Sequence, residues 1–163
     1  MGLLHIYDSS DKEIAEKAKK RVSEKSLPIS NIDELQTALN DLLHERKVFD
    51  RILFETHGYP GIIRFNGKSI DTNYWKAKKG RYEFLTAQIT RIYFNGCNVG
   101  EDEVGWQFLE AVAEAFMVTT SGEVFAHDTK GRSLPFIDHV FHIFGRTRYV
   151  TVSDGKLTGR AEY

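Results

Sequence analysis

The stretch ITRIYFNGCNVGEDEVGWQF, residues 89–108, decides the fold. Ile89 to Phe94 concentrates β-branched and aromatic residues and reads as a strand. Asn95-Gly96-Cys97-Asn98-Val99-Gly100 stops it with turn-forming residues. A helix is predicted from about Glu101 to Phe116, with Val104, Phe108, Val112 and Ala115 as its buried stripe. Strand, tight loop and helix in that order form the repeating unit of a parallel α/β sheet.

The same grammar extends upstream. Leu3-Leu4-His5-Ile6-Tyr7 is a short apolar run ended by Asp8-Ser9-Ser10-Asp11, a turn and helix N-cap cluster. Residues 11–24 are predicted to form an amphipathic helix through Ile14, Ala18 and Val22. Ser30 or Asn31 caps a second helix, which places Ile32, Leu35, Leu39, Leu42 and Leu43 on one face. Phe49 to Thr56 reads as a strand stopped at His57-Gly58-Tyr59-Pro60-Gly61. Asn66-Gly67, set between β-prone residues of 62–70, signals a tight hairpin. Lys76 to Arg81 is basic and polar and reads as a solvated loop. Downstream, Val118–Thr120 and Val124–Ala126 are β-prone, and residues 139–152 with the tail after Ser153-Asp154-Gly155 suggest a terminal meander or hairpin. No repeat or linker interrupts the chain, so residues 1–163 are expected to form one domain.

Composition narrows the function. Lysine and arginine number 22 against 23 aspartates and glutamates, so the net charge is −1. That balance gives no electrostatic reason to expect nucleic acid or an anionic membrane as partner. Hydrophobic residues at 41% and charged ones at 28% fit a folded chain rather than a disordered one. A single cysteine excludes an internal disulfide and a Cys-rich zinc site. His139 and His142 are three apart, but nothing at suitable spacing completes a metal site, so no metal is expected. No apolar run reaches the roughly 18–20 residues a membrane span needs. Met1 to Ile6 lacks the basic start and apolar core of a secretory signal, and Ile6 stands where a myristoylation motif takes Ser or Thr. A cytoplasmic protein is expected, with signal-less export left open and the oligomeric state unread.

The lone thiol is informative because two strands end alike, one in His57-Gly58 and the other in Gly96-Cys97. Functional groups of an open α/β sheet collect beyond the carboxyl ends of its strands. If these two strands are parallel neighbours, His57 and Cys97 emerge side by side. A free thiol is only about 3% thiolate at pH 7. An adjacent imidazole can take its proton during attack and return it to a leaving amine. Gly58 and Gly96 let backbone N–H groups approach a substrate carbonyl oxygen, where each such donor is worth on the order of 3 kcal/mol.

The pairing of strand–His57-Gly58 with strand–Gly96-Cys97 resembles the dyad of the caspase-like (clan CD) cysteine peptidases. Tyr93-Phe94-Asn95-Gly96-Cys97-Asn98-Val99-Gly100, followed by Gly105-Trp106-Gln107-Phe108-Leu109, is similar to a bacterial branch with a Gly-Cys-Asn motif, over roughly residues 49–126. The resemblance implies a caspase-like three-layer α/β/α sandwich with a mostly parallel central sheet and a β-hairpin after the His-Gly motif. It also implies peptide-bond hydrolysis, with Cys97 as nucleophile, His57 as base and acid, and the backbone N–H groups of Gly58 and Cys97 as oxyanion hole. The substrate would be a peptide or protein, and no cofactor is needed. The caspase signature Gln-Ala-Cys is absent, so specificity for aspartate is not carried over.

Supporting roles are open for three residues. Glu55 shares strand parity with His57 and is a candidate to orient its ring. Asp128 is a candidate third member or pocket acid, and Ser121 a candidate pocket wall; ordinary turn or strand-end roles are the alternatives. Glu101, Asp102 and Glu103 favour a helix start but would oppose a nearby thiolate. Trp75 and Tyr74 can line a cleft or pack on the surface, and Trp106 and Phe108 read as helix packing rather than a ligand cage. Two other functions compete: a catalytically weak or inactive caspase-like module that binds a protein partner, and a redox sensor, which lacks a resolving cysteine. Position between the two strands also makes residues 76–81 a candidate for autoprocessing.

Overall fold

The computed structural model describes residues 2–129, 131–132, 141–142 and 145–163. Its centre is a seven-stranded sheet. In chain order the strands and helices that build it are β1 (Leu3–Asp8), α1 (Lys12–Ala18), β2 (Lys25–Ile29), α2 (Ile32–Glu45) and β3 (Phe49–Glu55). A small three-stranded antiparallel sheet follows, made of β4 (His57–Tyr59), β5 (Ile62–Phe65) and β6 (Lys68–Asp71), and then α3 (Thr72–Lys76). The chain re-enters the main sheet as β7 (Thr86–Asn95), crosses through α4 (Asp102–Phe116) and returns as β8 (Ser121–His127). Two-residue strands β9 (Gly131–Arg132) and β10 (Phe141–His142) pair with each other before β11 (Thr147–Ser153) and β12 (Lys156–Glu162).

Spatial order in the main sheet is β12-β11-β8-β7-β3-β1-β2. The five strands from β2 to β8 are mutually parallel, and β11 and β12 add an antiparallel edge. The fold is therefore α/β with a mostly parallel central sheet. Alternate residues of each strand face opposite layers. Phe54 and Phe94 stack at 4.8 Å on one face, where Trp75 of α3 and Phe108 of α4 meet them edge-on at 5.8 and 5.0 Å. Glu55, one residue along, faces α1 instead. Helices on both faces make the arrangement compatible with a three-layer sandwich. No helix among the described residues is long and apolar enough to cross a membrane.

Several expectations change for physical reasons. The first helix stops at Ala18 rather than near residue 24, and Val22 is 88% exposed instead of lying on its stripe. The residues released include Arg21, which turns inward to Glu55, and the chain then forms β2, a strand that Pro28 conceals in the sequence. Proline is tolerated there because β2 is an edge strand, where no ladder needs its missing N–H. Leu43 and Val104, predicted on buried stripes, are exposed at 52% and 46%. The polar stretch after the hairpin contains α3, and Trp75 is a fully buried core residue rather than cleft lining. Val118–Thr120 is not a strand. The Asn66-Gly67 hairpin forms as expected between β5 and β6, with both residues at positive φ (51° and 72°). The terminal hairpin is β11–β12; His139 and the side chain of His142 lie outside the described residues.

Candidate active site

The chain leaves β1 toward β2 on one side and comes back to β3 on the other. The crevice beyond the carboxyl ends of β1 and β3 is thus the topological switch point, where open α/β sheets collect ligands. A cavity of about 180 Å³ opens there, lined by Asp11, Ile14, Glu55, His57, Asn95 and Cys97 among others. β3 and β7 are parallel neighbours with Glu55 opposite Asn95, so the two strand-end motifs arrive together. Larger open depressions of about 450 and 580 Å³ lie at Asp50–Arg91 and between β2 and α2. Neither is lined by a cysteine or a histidine.

His57 begins β4, and its side chain is 62% exposed. Its Nε2 lies 2.7 Å from Oδ2 of Asp11. Asp11 is the N-cap of α1, and its other oxygen, Oδ1, accepts the amide of Ile14 at 2.9 Å. The hydrogen bond from His57, and then that from the Ile14 amide, hold the Asp11 carboxyl below its ordinary value of 3.8. An ionised carboxylate has no proton to give, so Nε2 is the donor and Nδ1 is the basic ring position.

Cys97, half buried, is set by backbone packing. A Cβ on Gly58 would stand 2.8 Å from the carbonyl oxygen of Cys97, and one on Gly96 would stand 3.1 Å from Cα of Gly58. The two glycines therefore allow direct contact between the backbones of the two motifs. Farther along, Asn98 donates its amide to Thr129 (3.0 Å), Gly100 to His127 (2.7 Å) and Gly61 to Val99 (3.0 Å). The loop is thus clamped between the ends of β8 and β4. Helix α4 seats on it from behind: a Cβ on Gly105 would meet the carbonyl carbon of Gly100 at 2.3 Å. Asn98 takes a left-handed conformation (φ 61°), and its Nδ2 donates to Glu101 Oε2 at 2.5 Å.

Residues 12–131 match the family profile of a domain of unknown function, DUF4347. The chain belongs to this family. The matched span contains both His57 and Cys97, and Asp11 stands immediately before it. No curated protein and no solved structure matches the chain.

In this DUF4347 domain the supporting residues proposed from sequence divide. Glu55 lines the cavity, but its carboxylate turns to buried partners. Oε2 lies 2.8 Å from Nε2 of His5 and 3.5 Å from Nε of Arg21. The carboxylate at His57 Nε2 is that of Asp11, read in the sequence only as a cap. The signal that could have found it is its place directly after β1, the strand beside β3 at the switch point. Asp128 is at the carboxyl end of β8, but its Oδ1 accepts the amide of Arg146 at 2.7 Å, a turn role. Ser121 starts β8, at the opposite end of the parallel sheet from Cys97, and its Oγ accepts the amide of Asp154. It therefore forms no wall of this cavity.

The acidic run after the motif is largely engaged elsewhere: Glu101 binds Asn98, and Glu103 forms a two-pronged pair with Arg160 at 2.9 and 3.0 Å. That arginine holds the Glu103 carboxyl below the usual range. The guanidinium carbons of Arg148 and Arg160 lie 5.0 and 5.5 Å from the centre of the Trp106 ring. Tyr74 packs edge-on against Trp75 at 5.1 Å. The 76–81 segment is bonded to the far end of α4, with Gly80 donating to Glu114 and Tyr82 to Ala115. At 1.5 Å per residue, that end is roughly 18 Å from the end that carries the Cys97 loop. Cleavage there by the same chain is not served by this geometry. Among the described residues no group of three or more His, Cys, Asp or Glu could hold a metal ion.

Proposed function

We propose that this chain is a cysteine endopeptidase of the caspase-like type, acting through Cys97 and His57. The observation that carries the reading is that both residues line one cavity at the sheet's switch point. The mostly parallel sheet and the hairpin that follows His57-Gly58 support the caspase-like assignment. In the reaction the Cys97 thiol gives its proton to Nδ1 of His57, and Sγ attacks the peptide carbonyl carbon. The carbonyl oxygen becomes an oxyanion. The N–H groups of Cys97 and Gly58 receive the oxyanion, as the caspase-like resemblance implies; the neighbouring amides of Asn98, Gly100 and Glu101 are already committed within the fold. The imidazolium then protonates the leaving nitrogen, the C–N bond breaks and a thioester remains. Water attacks the thioester while His57 takes its proton, and Sγ leaves, reprotonated by the ring.

The test is alkylation of Cys97 by iodoacetamide at pH 7, read by mass, in wild type and His57→Ala. An unassisted thiol is about 3% ionised there, so a coupled one should react at least about tenfold faster in wild type than in the variant. Equal rates would discard the peptidase reading and leave the inactive module that binds a protein partner.

A further inference from the structure

We infer that Asp11 is a third member of the site, a positioning residue that fixes the His57 ring with its proton on Nε2 so that Nδ1 is bare toward the thiol. The inference rests on the Cys97–His57 reading and extends it to a residue outside both strand-end motifs. Its basis is the division of labour between the two oxygens of one carboxylate: Oδ1 on the Ile14 amide at 2.9 Å, Oδ2 on His57 Nε2 at 2.7 Å. Helix α1 thereby anchors the orienting group, and the orienting group anchors a ring that is otherwise largely exposed. Nothing else is needed at Nε2, and the second nitrogen is left for proton transfer.

Geometry makes the amide variant diagnostic. Asparagine caps helices about as well as aspartate. In Asp11→Asn the amide oxygen must stay on the Ile14 N–H to keep that cap. The NH₂ group then replaces Oδ2 opposite His57, and because NH₂ can only donate, Nε2 must accept and the ring proton must move to Nδ1. A proton on Nδ1 blocks transfer from the thiol. Asp11→Ser also keeps the cap but presents nothing at His57, so its ring samples both tautomers. If Asp11 were only a cap, Asn and Ser would both behave like wild type.

The experiment combines ring ¹⁵N NMR at a pH where the ring is neutral, with His57 assigned through His57→Ala, and the iodoacetamide rate at pH 7. Expected are a switch of the His57 proton from Nε2 to Nδ1 in Asp11→Asn, and thiol rates in the order wild type, Ser, Asn. The Asn variant should be at least about tenfold slow, close to His57→Ala. If the proton stays on Nε2 in Asp11→Asn, the inference is overturned whatever the thiol does. If His57→Ala slows the thiol and Asp11→Asn does not, the inference alone fails. If neither variant slows it, the Cys97–His57 reading fails and the role of Asp11 fails with it.

Discussion

Replacing Gly105 by alanine sets two well-known effects against each other at a point that bears directly on the nucleophile loop. Gly105 is in the first turns of α4, and intrinsic propensity favours alanine over glycine in a helix by about 0.8–1 kcal/mol. The added Cβ, however, would lie 2.3, 2.5 and 2.8 Å from the carbonyl carbon, oxygen and Cα of Gly100. Carbon atoms in contact ordinarily sit about 3.5–4.0 Å apart, so helix and loop must part by roughly 1 Å. Gly100 has little room to retreat, since its amide is bonded to His127 at 2.7 Å and backbone atoms of β8 lie behind it. Overpacking against fixed atoms costs about 1–3 kcal/mol. With backbone on the receiving side the upper end applies, and the net loss is about 2 kcal/mol. For a chain of this length that lowers Tm by roughly 4–8 °C. Urea unfolding followed by tryptophan fluorescence reads it, because Trp75 is buried and Trp106 adjoins the mutated residue. A Gly105→Ala protein that gains about 1 kcal/mol would refute the reasoning, since it would mean that α4 does not seat on the Cys97 loop.

Three further outcomes are expected. Glu55→Ala leaves Arg21 buried without the carboxylate 3.5 Å away, and should cost about 3–5 kcal/mol in urea unfolding; a loss under 1 kcal/mol would mean the pair is not buried as described. The Asp11 carboxyl is held below 3.8 in the folded chain, so the unfolded chain binds its proton first as pH falls. The stability advantage of wild type over Asp11→Asn should be full at pH 6 and fade below about pH 4; a gap that stays constant from pH 6 to pH 2 would contradict this. Prolonged incubation of wild type beside Cys97→Ala should give identical intact masses, because the 76–81 segment is tied to the distal end of α4; cleavage there in wild type alone would refute it.

What was legible in the sequence followed local rules. The β7–loop–α4 unit and the Asn66-Gly67 hairpin depend on neighbours within a few residues and formed where expected; β3 ends before His57 as read, but His57–Tyr59 then pairs with β5 as strand β4 instead of forming only a turn. β2 was not legible because Pro28 argues against a strand, and only its place at the edge of the sheet removes the objection. Trp75 was ambiguous because burial depends on what packs over it, here Phe54 of β3 and Phe108 and Phe116 of α4. Parity gave Glu55 the same side as His57 but could not choose its partner, and the carboxylate turns to His5 and Arg21 instead. His5 and Arg21 reach it through β1 and the turn after α1, neither of which the sequence aligns with β3. Asp11 was legible as a cap and invisible as a partner of His57, because the 46 positions between them close only when β1 and β3 pair.

The two principal residues of the site are held by unlike means, and this difference has a measurable consequence. Cys97 is fixed by close backbone contacts among Gly58, Gly96, Gly100 and Gly105. His57 is fixed by one hydrogen bond to the cap of α1. A seven-residue helix is far below the length that is stable alone, so α1 persists only through its cap and the packing of one face. Among its residues only Ala18 is buried. Local opening should therefore release α1, and with it the orientation of His57, well before it disturbs the thiol. Native-state hydrogen exchange tests this directly. Amides of residues 15–19 should exchange at least about tenfold faster than those of Gly100 and Gly105, whose acceptors are His127 at the end of β8 and Glu101 at the end of the clamped loop. Equal protection in the two segments would mean that base and nucleophile belong to one cooperative unit, and the division of rigidity argued from the glycine contacts would be wrong.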